Sequence, residues 1–156
     1  MAVELVVFVG LQASGKSTFF RERFAATNEH VSKDLFRNNK NRNRRQGELV
    51  EAAFRAGRSV VVDNTNPTPE DRRPLVELGR RFGARIFCYH FDSGVRGCLA
   101  RNARREGRAR VPDVAIFATA KRLVPPSYEE GFDGIYGVRL VDAAFEVREI
   151  QVSQDS

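Results

Sequence analysis

Short apolar runs alternate along this chain with segments whose apolar residues recur every three or four positions. Three runs are rich in β-branched and aromatic side chains and predict buried strands, as in a parallel sheet: 3–9, 59–63 and 84–91. A shorter strand is expected at 30–32, and two late strands are expected at 135–141 and 145–152.

Helical patterns lie between these runs. The first helix is expected over about 17–26, after a glycine-rich turn, and the second carries the i, i+4 pairs Leu49/Ala53 and Val50/Phe54. Gly57 is expected to cap the second helix, and a third helix is expected to carry Leu75, Leu78 and Phe82 and to end at Gly83. A fourth, capped by Ser93, is expected to hold Val95 and Leu99, and a fifth, opened by Pro112, to carry Ile116, Ala120 and Leu123. This alternation predicts an α/β fold: one domain over residues 1–156, with a mostly parallel sheet and helices on both faces.

The composition indicates a folded protein with a net positive charge. The 156 residues are 42% hydrophobic and carry a formal net charge of +6, so we expect a folded protein with an anionic partner. Nucleic acid is the first candidate, with nucleotides and anionic lipid behind it, and a basic enzyme without such a partner is the alternative. Cys88 and Cys98 form no CxxC pair, so neither a zinc site nor a disulfide framework is expected.

The N-terminal segment is not expected to target a membrane. It has no basic stretch followed by a cleavage site, and its longest apolar run, 5–9, is too short to span a bilayer. We therefore expect a cytoplasmic protein.

The strongest chemical signal is GLQASGKS, which fits G-x-x-x-x-G-K-[ST] between a predicted strand and a predicted helix. Backbone N–H groups of such a loop converge on the phosphates of ATP, while Lys16 bridges the β- and γ-phosphates and Ser17 offers a hydroxyl to Mg²⁺. A surface glycine–serine turn is the alternative. The expected nucleotide-binding residues are Gly10, Leu11, Gln12, Ala13, Ser14, Gly15, Lys16, Ser17 and Thr18.

Two carboxylates follow predicted strands, at the sheet edge where ligands of open α/β folds bind. Asp63 ends a buried strand and can hold Mg²⁺ through water, or it can simply cap the next turn. Asp34 follows the short strand and can accept a proton from an attacking hydroxyl, with Arg37 on a substrate phosphate. The alternative is that Asp34 caps a helix and Arg37 is solvated. His30 and His90 are expected to be ordinary structural histidines.

Two basic segments suit phosphate. Residues 101–110 contain five arginines and predict a mobile lid over the transferring phosphate, although a solvated face is the alternative. Residues 37–45 contain five basic residues and no carboxylate, with asparagines between them. We interpret this second segment as a phosphate track that includes Arg42, Arg44 and Arg45, while a poorly ordered helix start is the alternative.

These motifs, taken in order, resemble the polynucleotide 5′-kinases, which occur as domains of phage and mammalian end-healing enzymes. The likeness spans residues 6–140 and rests on GLQASGKS, Lys33-Asp34, VVVDNTNPTPEDRR, RNARR before a Val-Pro, and PPSYEEGFDGIYGV. Two features depart from the family: Gln12-Ala13 replaces the usual Pro-Gly, and Lys33 stands where the family usually has arginine. Because alanine tolerates a positive φ less well than glycine, the loop is expected to be shaped slightly differently.

The resemblance implies a P-loop kinase fold with an arginine-rich lid, and ATP and Mg²⁺ as cofactors. It implies that Asp34 is the base for a 5′-hydroxyl, that Arg37 binds a substrate phosphate, and that Asp63 and Asn64 lie beside the metal and the acceptor. It also implies a lid arginine on the ATP phosphates, either Arg105 or Arg104.

The first interpretation is therefore a kinase for the 5′-OH end of DNA or RNA. The second is a small-molecule kinase of the same fold for a nucleoside or a sugar. The third is a nucleotide-gated nucleic-acid-binding module with little transfer activity.

Overall fold

Six strands form one sheet in the computed structural model, which describes residues 2–152. They are β1 (Glu4–Gly10), β2 (Asn28–Val31), β3 (Ser59–Val62), β4 (Arg85–Phe91), β5 (Gly134–Val141) and β6 (Ala144–Ile150). The strand order is β2-β3-β1-β4-β5-β6; the first five are parallel, and β6 runs antiparallel to β5. The predicted α/β fold with a mostly parallel sheet is confirmed.

In the described part of the chain, five α-helices lie between the strands, as the sequence predicts: α1 (Lys16–Arg23), α2 (Arg42–Arg55), α3 (Pro69–Arg81), α4 (Val95–Ala103) and α5 (Asp113–Arg122). Gly57 and Gly83 follow α2 and α3 with positive φ, and Pro112 stands at the N-cap of α5. The expectation that Ser93 caps α4 is wrong. Gly94 holds the N-cap position in an extended conformation, so Ser93 stands one residue too early for its hydroxyl to cap the helix. Within residues 2–152, none of the helices combines the length and the apolar character needed to cross a bilayer.

The side chains of β1 alternate between two apolar layers. Leu5, Val7 and Val9 are buried with apolar residues of α2 and α3. Val6 and Phe8 are buried with the phenylalanines of α1. Successive residues of a strand point to opposite faces of the sheet, so the predicted helices on both faces follow from this alternation.

The turn after β3 forms hydrogen bonds with distant parts of the chain. Asn66, at φ 43°, donates its side-chain N–H to the Phe8 carbonyl at 2.8 Å, and its own carbonyl accepts an N–H from Arg72 at 2.8 Å. The guanidinium of Arg72, fully buried, also donates two hydrogen bonds to Glu130, at 2.7 and 3.0 Å. This turn therefore connects β1, α3 and the segment before β5.

Candidate active site

The GLQASGKS loop joins the carboxyl end of β1 to the amino end of α1. Gly15, at the N-cap of α1, has φ 96°, which glycine adopts without a steric penalty. Ala13 also has a positive φ, 62°. Its methyl group is buried in an apolar cluster with Cys98 of α4 and Ile116 of α5. This packing offsets the backbone strain of an alanine in that conformation.

Lys16 curls back over the loop that precedes it. Its ammonium donates to the carbonyls of Gly10 and Leu11 at 3.0 and 2.5 Å. Burial lowers the pKa of Lys16 to about 8; the nearby charge of Asp63 raises this pKa, that of Arg105 lowers it, and that of Asp34 raises it. The charges of these three predicted site residues therefore act on the Lys16 ammonium.

Because the pKa of Lys16 is about 8 without nucleotide, binding of ADP is expected to take up protons near that pH. Phosphate oxygens favour the charged ammonium, so its pKa rises in the complex. Below pH 8 the charge is already present; as the pH rises above 8, affinity falls by up to about tenfold per unit until the pKa of the complex is reached. Calorimetry at pH 8 in two buffers of different ionisation enthalpy measures the uptake, which is expected to be about half a proton.

Lys16→Arg is the matched control for this measurement, because a guanidinium stays charged at every accessible pH. The arginine variant is expected to lose the proton uptake. Heats of binding that do not depend on the buffer in the parent protein would contradict the lowered pKa.

Asp63 follows β3 and faces the start of α1. Its Oδ2 accepts a hydrogen bond from Ser17 Oγ at 2.8 Å and lies 2.8 Å from His30 Nε2. His30 was expected to be an ordinary structural histidine, but the structure places it against a predicted site carboxylate. The sequence gives little indication of this contact, because the contact depends on which strands are neighbours. In the structure β2 pairs with β3, and His30 lies level with Val61.

The oxygens of Ser17 and Asp63 fit the chemistry of Mg²⁺. That ion prefers oxygen donors, and it is commonly held by one or two protein groups together with substrate phosphates and water. Residues 2–152 contain no group of three or more His, Cys, Asp or Glu that could enclose a metal. One hydroxyl and one carboxylate beside the GLQASGKS loop suit a metal ion that is also bound by substrate phosphates and water, rather than one that is bound by protein groups alone.

Asp34 lies in a short 3₁₀ turn, Lys33–Phe36, directly after β2. The cap of this turn is Ser32, whose hydroxyl accepts from the Asp34 N–H at 3.3 Å, so the alternative role of Asp34 as a helix cap is wrong. The carboxylate is instead open, with a side chain that is 75% exposed. The carboxylate is therefore accessible from solvent, with Arg37 as its neighbour at 3.8 Å.

Asn64 fixes the position of this turn. Its side-chain oxygen accepts the Lys33 N–H at 2.9 Å, and its side-chain nitrogen donates to Gln46 of α2 at 2.6 Å. The amide predicted to lie beside metal and acceptor thus connects the Asp34 turn to α2.

The two ends of the arginine-rich segment are held together by hydrogen bonds between Asn102 and Val111. The side chain of Asn102, fully buried, donates to the Val111 carbonyl at 2.7 Å and accepts the Val111 N–H at 3.0 Å. Arg101 donates to the Ala13 carbonyl at 2.6 Å, so this arginine braces the phosphate loop. On the far side, both terminal nitrogens of Arg37 lie 3.3 Å from the Arg108 carbonyl. The end of α4 thus contacts the GLQASGKS loop, while the arginine-rich segment after it contacts the Asp34 turn.

The basic segment 37–45 leads into α2. The helix begins at Arg42, with Asn41 as its cap, and the side chains of Arg42 and Arg44 are exposed at its start. The segment itself contains no carboxylate, but a carboxylate just beyond it pairs with two of its arginines. Glu48, one turn further on, lies 3.2 Å from Arg44 and 3.4 Å from Arg45. A surplus of positive charge remains, since residues 37–48 hold five basic side chains and one carboxylate.

Comparison with known proteins gives matches along most of the chain. Residues 5–126 match the family described as AAA domain. Over 139 residues, or 85% of this chain, the sequence is 31% identical to the bifunctional polynucleotide phosphatase/kinase of Schizosaccharomyces pombe. The match covers 32% of that protein, so this chain spans about a third of the length of the curated relative.

Solved structures share the fold. A chain of the Pnkp1/Rnl/Hen1 RNA repair complex superposes with a TM-score of 0.64 at 26% identity, over 78% of this chain and 44% of that chain. A sugar kinase from Janibacter sp. superposes with a TM-score of 0.65 at 20% identity, over 88% and 84% of the two chains. At that identity, the likeness to the sugar kinase concerns the fold alone.

Proposed function

Since the chain belongs to the AAA-domain family of P-loop proteins and is related to polynucleotide kinase domains, we propose that it transfers the γ-phosphate of ATP to a 5′-hydroxyl end of DNA or RNA. The observation that carries the proposal is the meeting of two sites at one edge of the sheet. Lys16 follows β1 and Asp34 follows β2, and these parallel strands flank β3. Asp63, directly after β3, contacts both Ser17, next to Lys16, and His30 of β2, while Asn64 accepts the N–H of Lys33, next to Asp34. A phosphate donor and a hydroxyl acceptor would meet between Lys16 and Asp34.

Each residue has a chemical role in this proposal. The N–H groups of the phosphate loop and the Lys16 ammonium bind the β- and γ-phosphates. Ser17 and Asp63 would hold Mg²⁺, which neutralises charge on the phosphate oxygens when it is bound. Asp34 accepts the proton of the attacking hydroxyl, and Arg105 offsets the charge on the phosphoryl group as it transfers.

Two features hold the acceptor in this arrangement. Arg37, one turn beyond the base and 3.8 Å from it, binds a phosphate of the acceptor strand. The exposed arginines at the start of α2 bind further phosphates, since Asn64 and Gln46 fix this helix relative to the base. A nucleoside or sugar needs one or two cations, so the length of this track favours a polynucleotide.

The test is incubation with γ-labelled ATP, Mg²⁺ and four acceptors: 5′-OH DNA, 5′-OH RNA, nucleosides and sugars. Label on either oligonucleotide and not on the small acceptors is expected. Label on a nucleoside or sugar alone would replace the proposal by a small-molecule kinase. Nucleotide and oligonucleotide binding without any transfer would support a binding module instead.

The acceptor KM is expected to rise with salt and to fall as the strand lengthens from one nucleotide to several. Each phosphate that the track neutralises contributes a slope of about 0.7 in log KM against log salt, so three phosphates raise KM about 18-fold between roughly 50 and 200 mM salt. Replacing Arg42, Arg44 and Arg45 together by alanine is expected to flatten this slope while ADP binds as before. Steady-state kinetics at two salt concentrations and four strand lengths gives the measurement.

A matched control removes the same charge elsewhere. Arg55, Arg58 and Arg85 are exposed and pair with Glu51, Glu29 and Glu4 near the opposite edge of the sheet. Replacing these three by alanine lowers the net charge equally, and the salt slope is expected to persist. Equal loss in both triple variants would mean that overall charge, rather than a track, attracts the strand.

A further inference from the structure

The carboxylate of Asp63 is held by two donors from different elements. Ser17 of α1 and His30 of β2 both contact the same oxygen, Oδ2, at 2.8 Å each. The side chain of Asp63 is only 3% exposed, so few water molecules compete for that oxygen. Of these two donors, the sequence motif accounts for Ser17 alone.

The imidazole of His30 is itself held in place. Its ring stacks on Phe20 of α1, with ring centroids 4.0 Å apart and planes inclined by 16°. Phe20 is buried, and it lies three residues after Ser17 on the same helix. The ring therefore has a fixed orientation that directs Nε2 at the carboxylate.

From this contact we infer that His30 is a positioning residue: it fixes the Asp63 carboxylate in the orientation that binds the metal of the nucleotide complex. A buried carboxylate with one donor can rotate about its Cβ–Cγ bond, whereas donors from two directions restrict that rotation. Partners that orient a metal-binding group typically contribute 10–100-fold to metal affinity. The inference rests on the proposed role of Asp63, and it needs no assumption about the acceptor.

Three substitutions separate the donor from the shape of the ring. His30→Phe keeps the stack on Phe20 and removes the N–H. His30→Gln removes the ring and keeps an N–H donor near the position of Nε2. His30→Asn also carries an amide, but it is too short to reach Oδ2, so it serves as a second variant without the donor.

The measurement is binding of Mn²⁺ to the protein–ADP complex, followed by the electron paramagnetic resonance signal of free Mn²⁺, with protein in excess over ADP. His30→Phe and His30→Asn are expected to weaken Mn²⁺ binding about 10–100-fold. His30→Gln is expected to recover most of this loss. Binding of ADP in EDTA is expected to stay within about twofold of the parent in all three.

Two results would overturn the inference. Parental Mn²⁺ affinity in His30→Phe or His30→Asn would show that the donor is not needed. Equal losses of Mn²⁺ affinity in all three variants, together with weaker ADP binding in EDTA, would show that His30 only supports the shape of the site. Because no acceptor is present, failure of the polynucleotide kinase assay would leave this result unaffected.

Discussion

Replacing Asp34 by asparagine is expected to slow phosphoryl transfer by about 10²–10⁴-fold, the usual contribution of a general base. The amide has the shape of the carboxylate but cannot take the proton of the attacking hydroxyl. Asp34 is open to solvent, and its backbone is held by Ser32, so the substitution is expected to leave the turn intact. Single-turnover kinetics with saturating ATP and a 5′-OH oligonucleotide measures the rate of transfer directly.

Glu77→Gln is the control for this variant, since it also replaces a carboxylate by an amide, on the exposed face of α3. Its rate is expected to equal that of the parent. ADP affinity is expected to be unchanged in both variants. If Asp34→Asn transfers phosphate as fast as Glu77→Gln, then Asp34 is not the base and another group must accept the proton.

The second large effect concerns stability. Replacing Arg72 by leucine is expected to lower the free energy of unfolding by about 3–5 kcal/mol, because the substitution leaves a largely buried carboxylate without its partner. Glu130 would lose two hydrogen bonds, and the carbonyl of Asn66 would lose one. Urea denaturation followed by far-ultraviolet circular dichroism gives the difference, provided that unfolding is two-state.

Two further variants test the cause of that loss. The double variant Arg72→Leu/Glu130→Leu removes both charges, so it is expected to regain much of the lost stability. Arg58→Leu removes a surface pair with Glu29 and is expected to cost about 1 kcal/mol or less. A loss of that small size in Arg72→Leu would mean that the buried pair contributes little to the fold.

The parts of the site that the sequence predicts are those encoded by neighbouring residues. The phosphate loop could be predicted because a glycine-rich segment stands between an apolar strand and a helix, and Asp63 because it ends a buried run. The strand order could not, and the contact of His30 with Asp63 depends on β2 lying beside β3. The pair of Arg72 and Glu130, 58 residues apart, was missed for the same reason.

One contact that was missed and one cap that was misplaced both had signals in the sequence. Glu48 stands four residues after Arg44 and three after Arg45, the spacing at which helical side chains pair, but it lies just beyond the basic segment that drew attention. Serine and glycine are both found at helix N-caps, and serine is preferred there. Because α4 begins at Val95, however, the N-cap position falls on Gly94 and not on Ser93. In both cases the relevant residue, Glu48 or Gly94, lies just outside the positions that the sequence pattern singled out.

The two hydrogen bonds between Asn102 and Val111 hold together the ends of the arginine-rich loop, so the loop between them can be replaced as a unit. Residues 104–110 lie between α4 and this pair of hydrogen bonds, so we expect a change of length there to be absorbed without displacing α4 or α5. Doubling the length of a flexible loop costs only about 0.6 kcal/mol of closure entropy. We therefore expect that loops with a different number and spacing of arginines can be grafted between the same two residues at little cost to the fold.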